Sequence, residues 1–453
     1  MTTTIRFRAL ALCLALATPA AAAPLRVLAI GDSMTEEYAF ELPFSAPESN
    51  PTNASARNWP ELFRIFRGDE LSLGNYKSLP GSYLDLRTAG HEWNFSIPGA
   101  TIVNWKNLLY NTPSEEDDDD LAVGYGITKN ALLDKLGFAE AVVIILGAND
   151  LKKAYNDLFN DTENAGIPPD KPKYFENLLV KLNDIHAWVR FYRPNVPLVV
   201  CTLPDVGATP QISGIYHVPA KQATTRAKIA AFNQTIISWA AGKSPRPAVA
   251  RLDLLTDRIF DQVPFQINGT VFTLAGSEEN PPLQVFCRDG FHVSTVGQAL
   301  IANEIMASLE TVTGRDFTLF TNREILRFLL GQNPDQPYLD WIAAAGISGS
   351  GSGMDQDPDG DGFPNLAEFL LASPPGAFGS PLTGSFSPGA SLTFHPSASS
   401  LRFASLTAEE STDLSFWTEV PGGRTAVAPD GTVSITPAAG QRGFVRLRAE
   451  AKP

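Results

Sequence analysis

The stretch LRVLAIGDSMT, residues 25–35, indicates the fold of this chain. Its first six residues form a short and almost continuous apolar run, which is typical of a strand buried on both faces of a parallel sheet. Gly31 ends the run, and Asp32 and Ser33 follow it directly. Parallel sheets carry their chemistry at the carboxyl ends of their strands, so these two polar residues are the first candidates for a functional site.

Similar apolar runs alternate with longer amphipathic segments over the first two thirds of the chain. Further strands are predicted at 92–97, 141–146, 196–201 and 249–254. Helical spacing of apolar side chains predicts helices over 175–192 and 220–241, and another from Ser294 to about Leu309. This alternation of strands and helices predicts an α/β fold built around a parallel sheet.

Length and composition bound the possible functions. The chain has 453 residues, of which 44% are hydrophobic, so we expect several packed domains and no wholesale disorder. Lys and Arg number 35 against 49 Asp and Glu, which gives a net charge of -14. That balance argues against binding to nucleic acid or to an anionic membrane, because both need a basic surface.

Residues 1–23 have the pattern of a secretory signal peptide. Arg6 and Arg8 precede an apolar run over 9–17, and three alanines at 21–23 offer a cleavage site. No later stretch reaches the ~18 consecutive apolar residues of a membrane helix. We therefore expect a secreted or periplasmic protein with no integral membrane segment in the mature chain.

Three further features have the chemistry of a hydrolytic site. Ser33 lies on a Gly-assisted turn at a strand end, where a nucleophile is exposed. Asn149, in GAND at 147–150, offers an amide that can hold an oxyanion, and Gly99 offers a backbone N–H without a side chain. Taken alone, each of these motifs fits an ordinary turn or helix cap, and for Gly31-Asp32-Ser33 that is the more common case.

The sequence DGFH at 289–292 supplies what a serine nucleophile requires. The serine needs a base, and the base needs an acid that orients it. Of the five His residues, only His292 has an acid at a usable offset, namely Asp289. The sequence therefore predicts a catalytic triad of Ser33, His292 and Asp289.

In chain order, the segments around Ser33, Gly99, Asn149 and His292 resemble the four signature blocks of the SGNH hydrolase superfamily, also called GDSL. The resemblance covers about residues 24–313. It implies a flavodoxin-like three-layer α/β/α sandwich and ester hydrolysis without a metal or other cofactor. It also implies the roles of five residues: Ser33 as nucleophile, His292 as base, Asp289 as acid, and Ser33, Gly99 and Asn149 as donors of the oxyanion hole.

A second candidate site is the acidic loop DPDGDGFPNLAE at 357–368. Its acids fall at positions 1, 3, 5 and 12 and a glycine at position 6, as in the twelve-residue calcium loop. The expected ligands are Asp357, Asp359, Asp361, the Phe363 carbonyl, Asn365 directly or through water, and Glu368. Pro364 favours a lone structural loop, similar to dockerin or thrombospondin type 3 repeats, over a signalling EF-hand. The alternative is a solvated acidic linker.

The acidic run at 115–120 lacks metal-ligand spacing and is expected to be a solvated loop.

The chain as a whole is predicted to comprise a signal peptide (1–23), a hydrolase domain (24–315), a helical linker with the calcium loop (316–375) and a small antiparallel β module (376–453). The linker is inferred from Gly-Ser-Gly-Ser-Gly at 349–353. Cys201 and Cys287 remain after the signal peptide is removed and can either pair or stay free.

The predicted function is that of a secreted serine esterase acting on an acylated carbohydrate, most readily by removing acetyl groups. The calcium loop, the β module, the negative charge and the lack of a long apolar lid favour a soluble substrate over a lipid surface. One alternative is a lipid or aryl esterase of the same fold, similar to a lipase or lysophospholipase. The other is a non-catalytic extracellular binding protein on a hydrolase scaffold.

Overall fold

A computed structural model describes residues 23–41, 56–77, 86, 89–113, 124–274, 283–380, 382, 391–436 and 444–453. The signal peptide predicted at 1–23 lies, except for its last residue, outside the described residues, and so does the acidic run at 115–120. Among the described residues, the strands are β1 (Leu25–Gly31), β2 (Leu71–Ser72), β3 (Tyr76–Lys77), β4 (Gly90–His91), β5 (Ala141–Ile145), β6 (Leu198–Cys201), β7 (Ala248–Ala250), β8 (Gln266–Ile267), β9 (Thr270–Val271), β10 (Leu392–Phe394), β11 (Ala404–Ser411), β12 (Thr418–Glu419), β13 (Thr425–Val427), β14 (Val433–Ile435) and β15 (Phe444–Ala451). The α-helices are α1 (Tyr38–Glu41), α2 (Trp59–Phe66), α3 (Ile102–Tyr110), α4 (Tyr125–Leu136), α5 (Ala148–Asn160), α6 (Tyr174–Tyr192), α7 (Pro210–Ser213), α8 (Pro219–Ala241), α9 (Leu252–Asp261), α10 (Thr295–Thr313), α11 (Asn322–Glu324), α12 (Gln336–Ala344), α13 (Asn365–Leu371) and α14 (Ser400–Phe403).

A five-stranded parallel sheet in the order β2-β1-β5-β6-β7 forms the centre of the first two thirds of the chain. Its register places Val27 opposite Ala141 and Val143 opposite Val199. This sheet confirms the predicted α/β fold. The segment 92–97, predicted as a strand, runs beside the carboxyl half of β1, where the Phe95 N–H donates to the Ala29 carbonyl at 2.8 Å.

Helices cover both faces of the sheet, which gives three layers. Alternate side chains of β1 enter two separate cores, Val27 and Ala29 on one face and Leu28 and Ile30 on the other. Helices α2, α9 and α10 pack on the first face, and α3, α4, α5, α6 and α8 on the second. The strands are apolar on both sides because neither face meets water.

One predicted strand is wrong over most of its length. Strand β7 ends at Ala250, and helix α9 begins at Leu252, so the predicted strand at 249–254 covers parts of two elements. Of the two leucines in the predicted strand, Leu252 is buried in the first core with Leu255 and Ile259, at helical spacing, whereas Leu254 is 47% exposed. The segment from Leu252 onward is helical because a helix buries these apolar side chains together on one face.

The core of the α/β region continues beyond the predicted domain boundary at residue 315. Phe317, Phe320, Leu326 and Leu330 are buried in the same cluster as β1 and α10. A partly buried ion pair between Arg67 and Glu324, at 2.8 Å, links this segment to the C-terminal end of α2. The packing therefore extends to about residue 330 before the chain leaves this core.

The C-terminal region contains two small antiparallel sheets, in the orders β10-β14-β13 and β12-β11-β15. Strands β11 and β15 pair along their whole length, with Ala404 opposite Ala451 and Ser411 opposite Phe444. Helices α12 and α13 pack against them through a shared cluster that includes Phe403. These sheets confirm the predicted small antiparallel module. No helix among the described residues is long and apolar enough to cross a membrane.

Candidate active site

Ser33 lies on a tight turn at the carboxyl end of β1. The Asp32 carboxylate accepts the Met34 N–H at 2.9 Å, and the Asp32 carbonyl accepts the Thr35 N–H at 3.0 Å. These bonds fix the turn on both sides of Ser33, whose exposed fraction is 5%. The backbone of Ser33 therefore stands at the edge of the sheet in one defined orientation.

Gly31 allows this turn to form. A Cβ atom at Gly31 would lie 2.6 Å from the Thr35 Cβ and 2.9 Å from the Ser96 Oγ, both closer than a real Cβ atom comes. The Gly31 carbonyl accepts the indole N–H of Trp105 at 2.8 Å. The end of β1 is thus packed too closely for any side chain at this position.

Ser33, His292 and Asp289 form one hydrogen-bonded chain. The Ser33 Oγ lies 2.8 Å from the His292 Nε2, and the His292 Nδ1 bonds to the Asp289 Oδ2. The other oxygen of Asp289 accepts the backbone N–H groups of Phe291 at 3.0 Å and of His292 at 3.1 Å. A carboxylate on Nδ1 keeps the hydrogen there and leaves Nε2 to accept the serine proton.

The charge on Asp289 is maintained by its hydrogen bonds. Burial pushes the pKa of Asp289 up, but the bonds and charge from His292 and the backbone bond from Phe291 outweigh burial and hold the pKa below its ordinary value. Asp289 is therefore a carboxylate at neutral pH. It is placed to orient the imidazole and would stabilise an imidazolium if His292 took a proton.

Tyr38 supports the His292 loop, a role that the sequence did not reveal. Its ring lies edge-on to the His292 ring, with centroids 5.9 Å apart. Its hydroxyl donates to the Val293 carbonyl at 3.0 Å and accepts from the Gln298 side chain at 2.7 Å. The contact joins parts of the chain that are 255 residues apart, so no local pattern indicated it.

The predicted oxyanion donors lie at the same edge of the sheet as Ser33. The Ile97 N–H donates to the Gly31 carbonyl at 3.1 Å, which holds the loop of Gly99 against the end of β1. The Asn149 amide donates to the Ala100 carbonyl at 3.2 Å, beside Gly99. Gly99 has a φ of 73°, and the space where a Cβ would lie is open, with nothing within 4 Å.

Asp150 was not predicted as a site residue, although its place next to Asn149 was a signal. Its carboxylate accepts the Ile102 N–H at 3.0 and 3.2 Å, at the first turn of α3. Burial raises the pKa of Asp150 from 3.8 to about 7, and the nearby Asp32 adds to this, while the bond from Ile102 acts against it. The side chain links the Asn149 loop to the segment that follows Gly99.

An apolar cavity of about 50 Å³ lies directly behind the Ser33 turn and the His292 loop. Asp32 and Met34 line it from the first, and Phe291 and Val293 from the second. The rest of the wall comes from side chains at the carboxyl ends of β5 and β6 and from α9. The space holds only a few water-sized groups.

The two cysteines are free, and both are buried. The Cys201 thiol donates to the Leu146 carbonyl at 3.4 Å, and burial raises its pKa to about 12. Burial also raises the pKa of the Cys287 thiol, with a further contribution from Asp289. The possible disulfide is therefore not formed, and both thiols are protonated and poor nucleophiles at neutral pH.

The predicted calcium ligands lie in a separate part of the chain. Asp357, Asp359 and Asp361 each have a carboxylate oxygen within 4.8 Å of the others. The Phe363 N–H donates to Asp361 at 2.9 Å. Asn365 and Glu368 come from the start of α13, and both are completely buried.

A parallel α/β sheet with a Ser–His–Asp chain at its carboxyl edge is an arrangement found among hydrolases. The sequence profile of the GDSL-like lipase/acylhydrolase family matches residues 27–305, which is more than half of the chain. The protein belongs to this family and is, at that level, an ester hydrolase.

No curated protein matches the sequence as a relative. One similar solved structure is described as that of a platelet activating factor from Streptococcus pneumonia. It is 15% identical, covers 63% of this chain and 84% of its own, and has a TM-score of 0.32. A likeness at that score carries no weight for fold or substrate.

Proposed function

We propose that the protein is an exported serine esterase that removes short acyl groups, acetyl in particular, from carbohydrate. The hydrogen bond of 2.8 Å between the Ser33 Oγ and the His292 Nε2 carries the proposal, because it joins a nucleophile to its base. Membership in an acylhydrolase family supports the ester chemistry. The pattern of residues 1–23 supports export.

Acylation begins when the Ser33 Oγ attacks the ester carbonyl and His292 takes its proton. The carbonyl oxygen becomes an oxyanion, which accepts hydrogen bonds from the N–H groups of Ser33 and Gly99 and from the Asn149 amide. The tetrahedral intermediate then expels the alcohol, and His292 returns the proton to the departing oxygen. The enzyme is left as an ester of Ser33.

Deacylation repeats these steps with water as the nucleophile. His292 takes a proton from the water as it attacks the acyl carbonyl, and the same donors hold the oxyanion. Collapse of the intermediate releases the carboxylic acid and restores the Ser33 hydroxyl. Asp289 orients the imidazole through both half-reactions, and the chemistry requires no cofactor.

Two observations support a soluble substrate over a lipid surface. The net charge of -14 opposes contact with anionic lipid surfaces. The C-terminal β sheets add a module of the kind that can hold a polymer close to an enzyme.

The proposal is tested with nitrophenyl esters from C2 to C12 and with acetylated xylan and pectin. We expect the highest kcat/KM at C2 and release of acetate from at least one polymer. Ser33→Ala should abolish hydrolysis, whereas the matched control Ser238→Ala, on the exposed face of α8, should leave it unchanged. A maximum at long chains would instead identify a lipid esterase, and an active Ser33→Ala protein would exclude the mechanism.

A further inference from the structure

Glu368 is a buried carboxylate without a partner. It lies in α13, its exposed fraction is 0%, and neither of its side-chain oxygens has a hydrogen-bond partner among the described residues. An ionised carboxylate in such surroundings is strongly destabilising unless a charge compensates it. A buried carboxylate of this kind is either protonated or compensated by a cation.

Other buried acceptor oxygens in the 357–368 loop also lack a hydrogen-bond partner among the described residues. The Asp359 Oδ2 and the Asn365 Oδ1 are buried and have no hydrogen-bond partner among the described residues. Asp357 is held in place, since its two oxygens accept the N–H groups of Gly360 at 2.9 Å and Gly362 at 2.8 Å. Several oxygens are thus gathered here with no donor to satisfy them.

The negative charges in this loop repel one another. The carboxylates of Asp359, Asp361 and Asp357 lie close enough to Glu368 to act on its charge. Each of the three has an oxygen within 4.8 Å of the other two. A cation between them would remove the repulsion and would partner the unsatisfied oxygens.

We propose that residues 357–368 bind one Ca²⁺ ion and that the ion completes the packed core of the C-terminal region. The available donors are all oxygens: four carboxylates, an amide and a backbone carbonyl. Such a set suits a hard cation and not zinc, which prefers nitrogen and sulfur. Its size and flexibility favour Ca²⁺ over Mg²⁺, which demands a compact octahedron and keeps its waters.

The ion would also fix the Gly-Ser-Gly-Ser-Gly segment at 349–353. The Asn365 side chain donates to the carbonyls of Gly351 and Gly353, both at 2.8 Å. The Tyr338 hydroxyl donates to the Ser352 carbonyl at 2.9 Å. The segment inferred from composition to be a flexible linker is therefore bound to the start of α13.

Helix α13 carries the effect of the ion into the surrounding core. Each of its seven residues, from Asn365 to Leu371, is buried. Phe369 and Leu370 pack in one cluster with Tyr338 and Phe403, which connects the helix to α12 and to the sheet of β11. Compensating the charge on Glu368 would therefore stabilise this whole cluster.

Calorimetric titration of CaCl₂ into the chain without its predicted signal peptide tests the proposal. We expect one ion per chain, and an affinity at least tenfold weaker in Glu368→Gln, which keeps the shape of the side chain but removes the charge. Asp355→Asn is the matched control, because Asp355 is an exposed acid two residues before the loop. It should bind Ca²⁺ as the wild type does.

Thermal unfolding in CaCl₂ and in EGTA separates metal binding from a purely structural role of Glu368. At the same concentration, Ca²⁺ should raise the Tm of the wild type more than that of Glu368→Gln. In EGTA the variant should be at least as stable as the wild type, because it lacks the uncompensated charge. Both proteins should hydrolyse nitrophenyl acetate if the esterase proposal holds, but the Tm comparison does not depend on that activity.

Three results would overturn the proposal. The first is the absence of binding at Ca²⁺ concentrations up to about 1 mM, the range of weak extracellular sites. The second is an unchanged affinity in Glu368→Gln. The third is an equal rise in Tm with the same concentration of Mg²⁺, which would mean that the loop is only screened by divalent ions.

Discussion

The carboxylate of Asp150 accepts the backbone N–H of Ile102 at 3.0 Å, and this bond joins the start of α5, which carries Asn149, to the segment that follows Gly99. Asn149 is the neighbour of Asp150 in α5, and Ile102 begins α3 just after Gly99. An oxyanion hole requires its donors at a fixed mutual distance. Asp150 is therefore a positioning residue for the proposed hole.

Asp150→Ala should lower kcat about tenfold and change KM little, because the oxyanion donors act mainly in the transition state. Asp150→Asn should retain most of the activity, since its amide oxygen can still accept the Ile102 N–H. Steady-state kinetics with nitrophenyl acetate measures both constants. Asp157→Ala, on the exposed face of the same helix, is the control. A rise in KM alone would contradict a positioning role.

Asp150 should also make stability depend on pH. Its pKa is raised from 3.8 to about 7 in the folded protein, so its contribution to stability is complete below about pH 4 and is lost as the pH rises through about 7. The free energy of unfolding of Asp150→Asn, measured relative to the wild type, should therefore increase by about 2 kcal/mol as the pH rises from about 5 to about 8.

Urea unfolding of the wild type and of Asp150→Asn, each at about pH 5 and about pH 8, measures this difference in the free energy of unfolding. The buried His91 and His186, whose pKa values burial lowers to about 4, have the opposite pH dependence. They are common to the wild type and to Asp150→Asn, so they cancel in the comparison. A constant difference across the range would show that Asp150 does not change its ionisation.

Asp289→Asn should reduce kcat about 10²- to 10⁴-fold, because an amide beside His292 favours the wrong tautomer. The loss should be smaller than in His292→Ala, since the acid orients the base and does not take the serine proton itself. Kinetics with nitrophenyl acetate from about pH 6 to pH 9 tests this. Asp134→Asn, an exposed acid in α4, serves as control. Full activity in Asp289→Asn would remove Asp289 from the mechanism.

Gly31→Ala should destabilise the fold by about 1–3 kcal/mol and lower activity further, because the methyl group would overlap Thr35 and Ser96. Gly126→Ala is a matched control, since a Cβ there meets nothing within 4 Å and the residue lies inside α4. It should be neutral or more stable by about 0.5–1 kcal/mol. Urea unfolding with a parallel activity assay separates the two effects. Equal stability of both variants would contradict the close packing at the end of β1.

The sequence predicted the central strands and the long helices because their signals are local. The run at 25–30 is apolar on both faces, and the spacing over 175–192 repeats for five turns of helix, so the boundaries agree closely with β1 and α6. Strand β2, at Leu71–Ser72, is too short to produce a pattern. The segment at 249–254 is ambiguous because its few apolar residues fit either period.

The residues of the candidate site also fall into two groups, those with a local sequence signal and those without one. Ser33, Asn149 and His292 lie in short motifs next to strands or helices, where residue type and position suffice to find them. Tyr38 and Asp150 act through contacts with distant segments, at Val293 and Ile102, and only the folded chain brings these together. The flexible linker was inferred from composition alone, and Asn365 overrides that tendency with two hydrogen bonds.

The most direct test of the central claim is to identify the residue that reacts with a fluorophosphonate probe. Attack by an activated serine on the phosphorus releases fluoride and leaves a stable phosphonyl ester, so peptide mass spectrometry locates the nucleophile. We predict modification of Ser33 in the wild type and none in His292→Ala. Labelling of another residue, or full esterase activity after Ser33 has been completely modified, would contradict the assignment of Ser33 as the nucleophile.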